Sequence, residues 1–158
     1  MKEEILEPFL RKMRIKRVLP YIKKYENCHM LDIGCGWNAL LLKELEPYIK
    51  QGIGIDFKAP SIKTVKIETI SASFEKTLPF DDEKFDVVTM LAVLEHLSYP
   101  EIILQEVQRI LKPGRNMSIK MSRVYKINHS IVSGFQTTSR VTLHCLTSRE
   151  PHRSGYAR

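Results

Sequence analysis

The sequence predicts a doubly wound α/β fold, in which a mainly parallel sheet is covered by helices on both faces to give three layers. Short apolar segments alternate along the chain with amphipathic helical segments, an order that favours a parallel sheet. The segment ending in Asp32 leads directly into a glycine-containing loop and a helix, as in many such folds. At 158 residues the chain is long enough for one domain with a real core.

The first predicted element is an amphipathic helix over residues 3–18, where apolar side chains recur every three or four positions. Pro20 interrupts this pattern, and one or two helical turns follow to Tyr25. The basic residues of this segment are expected on a solvated face or against an anionic surface. The later segments predict strands over 28–33, 52–56, 64–70, 85–91 and 116–121, and helices over 39–48 and 102–111.

The basic character of the chain belongs to its last third. The net charge is +7, but residues 1–111 carry 16 basic and 17 acidic side chains, whereas residues 112–158 carry 9 basic and one acidic. Hydrophobic periodicity fades after Ser122. The sequence therefore predicts a domain over residues 1–122 and a basic tail of low order over residues 123–158.

The sequence shows no motif for secretion, for spanning a membrane or for binding a metal. The first 25 residues are rich in charge, unlike a signal peptide, and no apolar run reaches the roughly 18 residues of a spanning helix. Cys28, Cys35 and Cys145 show no CxxC spacing, and the histidines show no metal-ligand spacing. These features predict a cytoplasmic protein with reduced thiols and no metal.

The loop after the first strand carries the chemistry. Gly34 and Gly36 allow a tight turn and close approach of the backbone to a bound molecule. The helix that begins near Ala39 presents free amides, which suit an anionic group. Asp56 ends the second strand, where an acid in a doubly wound fold accepts hydrogen bonds from ribose hydroxyls. The sequence therefore predicts a nucleoside-bearing ligand across the carboxyl ends of these two strands.

Two kinds of nucleoside ligand fit this loop. Gly34, Gly36 and Ala39 match the dinucleotide pattern G-x-G-x-x-G/A, which leaves a fragment of an NAD-dependent oxidoreductase as one interpretation. Five segments favour another: LDIGCG at 31–36, LPF at 78–80, FDVV at 85–88, LEHL at 94–97 and RILKPG at 109–114. In this order and spacing they resemble motifs of the class I S-adenosylmethionine-dependent methyltransferases, methyltransferase type 11 (UbiE-like) group.

The resemblance implies a Rossmann-like fold of seven strands, of which this chain lacks the last, and S-adenosyl-L-methionine as the cofactor. It implies that Asp32, Gly34 and Gly36 hold the methionine end and that Asp56 binds the ribose hydroxyls. It further implies adenine contacts from Ser73 and Phe74, and a floor near the sulfonium from Leu91 and Ala92. Cys35 and Phe57 complete this set of cofactor-binding residues.

The chain departs from the family motifs at two positions. Asn38 replaces a third glycine, although asparagine tolerates a left-handed backbone. Ser73 stands where the family often has aspartate, which removes one hydrogen bond to the adenine. After the fourth strand, His96 is a candidate catalytic general base; the alternative is that Glu95 and His96 hold the following helix.

The resemblance implies methyl transfer to an acceptor that the sequence does not identify, with a small molecule or a glycan favoured by analogy. The non-enzymatic alternative is a cofactor-binding or nucleic-acid-binding module with a basic tail. Two interpretations of that tail compete. Either it binds RNA or another polyanion, or the reading frame is altered after about Gly114, since the family motifs dissolve at Arg115.

Overall fold

The computed structural model describes residues 2–91, 93–121 and 140–145. These ranges contain three α-helices, six strands and two short 3₁₀ turns at Glu46–Tyr48 and Leu94–His96. The helices and strands are α1 (Lys2–Ile22), β1 (His29–Ile33), α2 (Leu40–Leu45), β2 (Gln51–Asp56), β3 (Ile67–Ser71), β4 (Phe85–Leu91), α3 (Pro100–Ile110), β5 (Leu111–Met121) and β6 (Arg140–Cys145).

The six strands form one sheet in the order β3-β2-β1-β4-β5-β6. Every pairing between these strands is parallel. The strand β1 lies between β2 and β4, so the order reverses at β1, and such a switch point opens a crevice at the carboxyl ends of the strands. The predicted mainly parallel, doubly wound sheet is confirmed.

Apolar side chains cover the sheet on both faces. Leu31 and Ile33 belong to a cluster that includes the buried residues of α3, whereas Met30 belongs to a cluster with the buried residues of α1 and α2. Alternate residues of a strand point to opposite faces, and both faces of β1 are therefore buried. The three-layer arrangement holds the glycine loop at the end of β1 between two packed cores.

Pro20 does not interrupt the first helix, contrary to the prediction. The helix α1 continues to Ile22, and Lys23 N still donates to the Leu19 carbonyl at 3.0 Å. A proline near the end of a helix removes only one intrahelical hydrogen bond. Val18 and Ile22, fully buried on either side of Pro20, pack α1 on the domain, and this packing outweighs the lost bond.

The sequence predicts five strands, and the structure adds a sixth at residues 140–145, within the predicted basic tail of low order. This segment is β6, which pairs with β5 in parallel, Ser118 beside Thr142. Residues 122–139 and 146–158 lie outside the described residues, so the division after residue 122 stays a prediction.

A buried carboxylate joins β1, β4 and β5 at their amino-terminal ends. Asp86 accepts hydrogen bonds from His29 N at 2.9 Å and from Lys112 Nζ at 3.0 Å. It also pairs with Arg115, whose guanidinium lies 4.2 Å from the centroid of the Tyr25 ring. Arg115, the first residue at which the sequence no longer matches the family motifs, thus contacts the folded domain.

Candidate functional site

The glycine loop after β1 has a backbone that requires glycine. Gly34 and Gly36 have φ angles of +76° and +71°, a region that glycine adopts without steric strain. Gly34 N donates to the Ile55 carbonyl at 2.8 Å, which ties the loop to β2. A Cβ on Gly34 would lie 2.1 Å from Val93 Cγ2, whereas a Cβ on Gly36 would have no atom within 4 Å. Gly36 therefore borders space that a ligand can enter.

The Asp56 carboxylate organises this loop from the end of β2. Its Oδ2 accepts a hydrogen bond from Gly36 N at 3.0 Å, and its Oδ1 accepts one from Lys58 N at 3.1 Å. An ionised carboxylate has about four acceptor sites. Half-buried Asp56 can therefore hold the loop and still accept hydrogen bonds from a ligand.

Asp32 is a buried carboxyl at the end of β1, 3% exposed. Thr89 Oγ1 lies 2.6 Å from Asp32 Oδ1 and 3.3 Å from the Leu31 carbonyl oxygen. The hydroxyl has one proton and can satisfy only one of these acceptors, unless Asp32 is protonated and itself donates to Thr89. Burial raises the pKa of Asp32 to about 7, while the Thr89 hydrogen bond and the charge of Arg14 oppose this rise.

Arg14 is the site residue that the sequence reasoning missed. It lies in the cavity beside Asp32, rather than on a fully solvated face of α1. Arg14, Val18 and Ile22 recur every four positions, and the last two are fully buried. A cation in line with buried apolar positions points toward the domain, and this spacing was the available signal.

Two cavities lie side by side at the carboxyl edge of the sheet. The first, about 240 Å³, is lined by Arg14, Asp32, loop residues 34–41 and Leu91. The second, about 300 Å³, adds Asp56, Phe57, Phe74, Val93, His96 and Leu97. Gly34 and Leu91 line both cavities. The cavities are therefore two compartments of one groove, a charged one and a mainly apolar one.

Two aromatic rings form a wall of the apolar compartment. Phe57 and Phe74 stack with ring centroids 5.0 Å apart and an interplanar angle of 22°. Phe74 is buried, Phe57 is exposed over half its surface, and the Ser71 hydroxyl donates to the Phe57 carbonyl at 3.0 Å. Ser73 is exposed and is not among the residues that line the two cavities, and its contact with the adenine stays a prediction.

The remaining predicted residues take different places. Cys35 lines the charged compartment, and burial raises the pKa of its thiol to about 12, which keeps it protonated at neutral pH. Asn38 lines the same compartment. His96 is exposed and borders the apolar compartment. Ala92 lies outside the described residues.

Within residues 2–91, 93–121 and 140–145, no three His, Cys, Asp or Glu side chains cluster closely enough to hold a metal ion. No helix in the same ranges is both long enough and apolar enough to cross a membrane.

A family model described as a methyltransferase domain matches residues 31–119, more than half of the chain. The matched range begins in β1 and ends in β5, so it contains the glycine loop, Asp56 and every residue that lines the groove except Arg14. The chain belongs to this methyltransferase family. It is a class I methyltransferase domain, and the cofactor of this class is S-adenosylmethionine. The nicotinamide interpretation of the glycine loop is thereby replaced.

Two proteins that are similar to this chain are named as methyltransferases. A demethylmenaquinone methyltransferase from Lactiplantibacillus plantarum is 32% identical over 115 residues, which cover 65% of this chain and 48% of that protein. A ubiquinone biosynthesis O-methyltransferase from Brucella ovis is 31% identical over 130 residues, which cover 75% of this chain and 48% of that protein. This methyltransferase chain spans about half the length of these curated relatives.

The likeness extends to solved methyltransferase structures. An S-adenosylmethionine-dependent methyltransferase from Aquifex aeolicus superposes with a TM-score of 0.53 at 21% identity, over 66% of this chain and 61% of that one. At this identity the likeness shows the shared fold. It supports the Rossmann-like, parallel sheet described above.

Proposed function

We propose that this chain binds S-adenosylmethionine along the two-compartment groove and transfers its methyl group to a small-molecule acceptor. The observation that carries the proposal is the division of the groove. One compartment contains Arg14 and Asp32, the other contains the Phe57–Phe74 wall, and Asp56 stands beside the glycine loop that joins them. A molecule with a zwitterionic end, a ribose and an aromatic base matches this order of chemistry.

The charged compartment fits the methionine end of the cofactor. Arg14 supplies a cation for the carboxylate, and ionised Asp32 supplies an anion for the ammonium group. Charge-assisted hydrogen bonds of this type are about twice as strong as neutral ones. The opposite charges of the two side chains also orient the ligand, because a reversed methionine end would face like charges.

The ribose and the adenine fit the second compartment. Asp56 retains acceptor capacity for the ribose hydroxyls, and its bonds to Gly36 and Lys58 hold the carboxylate in place. The stacked rings of Phe57 and Phe74 offer an aromatic surface to the adenine.

Bound S-adenosylmethionine supplies an activated methyl group on a sulfonium, so the chain contributes mainly position and a dry environment. Leu91 and Val93 provide apolar walls near the junction of the compartments. His96 borders the same compartment and is placed to accept a proton from an acceptor hydroxyl. An acceptor with an ionisable hydroxyl would use both features.

For the acceptor we propose the hydroquinone or phenol class in preference to a glycan. The support for this class is that two relatives are named for menaquinone and ubiquinone chemistry. The test is an assay with methyl-labelled S-adenosylmethionine and naphthohydroquinone, catechol or glucose as acceptor. We expect label on an aromatic acceptor. Cofactor binding without transfer to any of the three would contradict this proposal.

Replacing His96 by alanine is expected to lower kcat for a phenolic acceptor by about 100-fold, the lower end of general-base contributions. S-adenosylmethionine affinity should stay within about twofold, because the proposed methionine and ribose contacts do not involve His96. Steady-state kinetics and calorimetric titration measure the two quantities. A His96→Gln variant is the matched control, since it preserves polarity but accepts no proton at neutral pH; recovery of full activity in this variant would argue against a general base.

A further inference from the structure

The amino-terminal edge of the sheet, opposite the glycine loop, carries a row of basic residues. In sheet order, a basic residue stands at or beside the start of each of five neighbouring strands: Lys66 for β3, Lys50 for β2, His29 for β1, Lys84 for β4 and Lys112 for β5. Neighbouring strands lie about 4.8 Å apart, so the row is about 19 Å across. Parallel strands begin at the same edge, which brings residues distant in sequence into one line.

Helix ends account for only part of this row. A lysine after a helix offsets the negative end of the helix dipole, which explains Lys112 after α3 and Lys50 after the helical turn that follows α2. The strands β3 and β4 follow loops, so this reason does not apply to Lys66 and Lys84. Lys66 Nζ is held at the edge by a hydrogen bond of 3.2 Å to the Glu46 carbonyl.

Carboxylates at this edge offset the row incompletely. Asp86 is buried and faces two cations, Lys112 and Arg115, so that pair of cations exceeds it by one charge. Glu26 and Glu83 are exposed acids near the starts of β1 and β4. They lie beside the row and do not interrupt the order of one basic residue per strand.

His29, at the centre of the row, lies within reach of the charges on both sides of it. Burial lowers the pKa of its imidazole, and so do the charges of Lys112, Lys50 and Lys84, against an opposing effect of Asp86. His29 is therefore neutral near pH 7, and the cations of the row are its lysines.

A cavity opens into the row between β2 and β3. It has a volume of about 490 Å³, and its lining includes Lys50, Lys66, Tyr48 and Val65. Tyr48 is 47% exposed and Val65 is fully exposed. Lys23 Nζ lies 5.4 Å from the centroid of the Tyr48 ring. An aromatic ring between cations is the arrangement on which bases of single strands stack.

We propose that this edge binds the phosphodiester backbone of a single-stranded nucleic acid, with one base in the cavity beside Tyr48. The phosphates of a single-stranded nucleic acid form a line of negative charges. The basic row is also a line, with one basic residue at each β-strand from β3 to β5 in sheet order. The strands have five to seven residues from β1 to β4, which separates the row from the groove by about 17–23 Å. The nucleic acid is therefore an anchoring partner and not the methyl acceptor.

The test measures fluorescence anisotropy of labelled oligouridylate and oligothymidylate, about 12 nucleotides long, with the full chain. The double variant Lys50→Ala, Lys84→Ala should bind at least about tenfold more weakly near 100 mM salt, with a salt slope smaller by about 2. The matched control Lys43→Ala, Lys76→Ala removes the same charge from exposed positions away from this edge and should stay within twofold. Binding of both oligomers identifies the phosphodiester; binding of oligouridylate alone identifies RNA.

Three results would overturn the proposal. Equal loss in both double variants would mean that net charge alone drives binding. An unchanged affinity of the Lys50, Lys84 variant would place binding elsewhere in the chain. Selective loss of binding to phosphatidylglycerol vesicles, with no oligomer bound, would identify a membrane surface instead. A second variant, Tyr48→Ala, should weaken oligomer binding about tenfold without changing the salt slope, and cofactor affinity should be unaffected by all of these changes.

Discussion

Replacing Asp56 by alanine will weaken S-adenosylmethionine binding by about 100-fold. Two hydrogen bonds from ribose hydroxyls to a carboxylate contribute about 1.5 kcal/mol each, and their loss together corresponds to about two decades in affinity. The substitution also removes the acceptor of Gly36 N, so the glycine loop loses a contact that holds it against β2. Calorimetric titration measures the effect.

Titrations with two parts of the cofactor and with a control variant test the ribose contact more specifically. Adenosine should lose affinity in the Asp56 variant, whereas methionine should retain more of its own, because the charged compartment is unchanged. Asp56→Asn is expected to bind the cofactor almost as weakly as Asp56→Ala. Both carboxylate oxygens of Asp56 accept hydrogen bonds from backbone N–H groups, and the NH₂ group of an asparagine would face one of these two donors. Asp81→Ala, at an exposed position, is the control. Affinity within twofold of wild type for Asp56→Ala would contradict the assigned ribose contact.

The sheet and its ligand edge were predictable because their signals are local. The apolar run of β4 and the Asp-Gly-x-Gly end of β1 are each contained in one segment, and both strands lie where the sequence places them. The strand β6 was not predictable in this way. Only three apolar residues, Val141, Leu143 and Cys145, alternate along it, and its place in the sheet depends on pairing with β5.

The site was predictable where the backbone determines it and less so where tertiary packing does. Gly34, Gly36 and Asp56 follow from a strand–turn–helix motif and meet in the structure through direct hydrogen bonds. Arg14 reaches the groove because α1 packs with Val18 inward. The four-residue spacing indicates the inward direction of Arg14, but not the part of the domain on which α1 packs. The direction of a loop side chain such as Ser73 is also set by packing, so its contact with the adenine stays a prediction.

Replacing Asp32 by asparagine will raise stability at pH 8 and lower cofactor affinity. The pKa of Asp32 is about 7 in the folded chain, against 3.8 as its ordinary value. The folded state therefore holds a proton that the unfolded state releases, and wild type loses stability as pH rises from about 4 to 7, by about 4 kcal/mol at most. Asparagine does not ionise, so we expect a Tm about 5–10 °C higher than wild type at pH 8 and a nearly equal Tm near pH 4.

The substitution that raises stability should lower the affinity for the cofactor. These opposite effects distinguish a ligand-binding carboxyl from a structural one. If ionised Asp32 holds the ammonium group, wild-type affinity rises between pH 5.5 and 7.5, while Asp32→Asn binds about tenfold more weakly at the upper pH with no such rise. Asp81→Asn, at an exposed acid, should match wild type in both measurements. Were Asp32 only a packing group, the more stable variant would bind the cofactor at least as well as wild type. A higher Tm together with a lower cofactor affinity in Asp32→Asn would therefore support the proposed role of the ionised carboxyl in the filled groove.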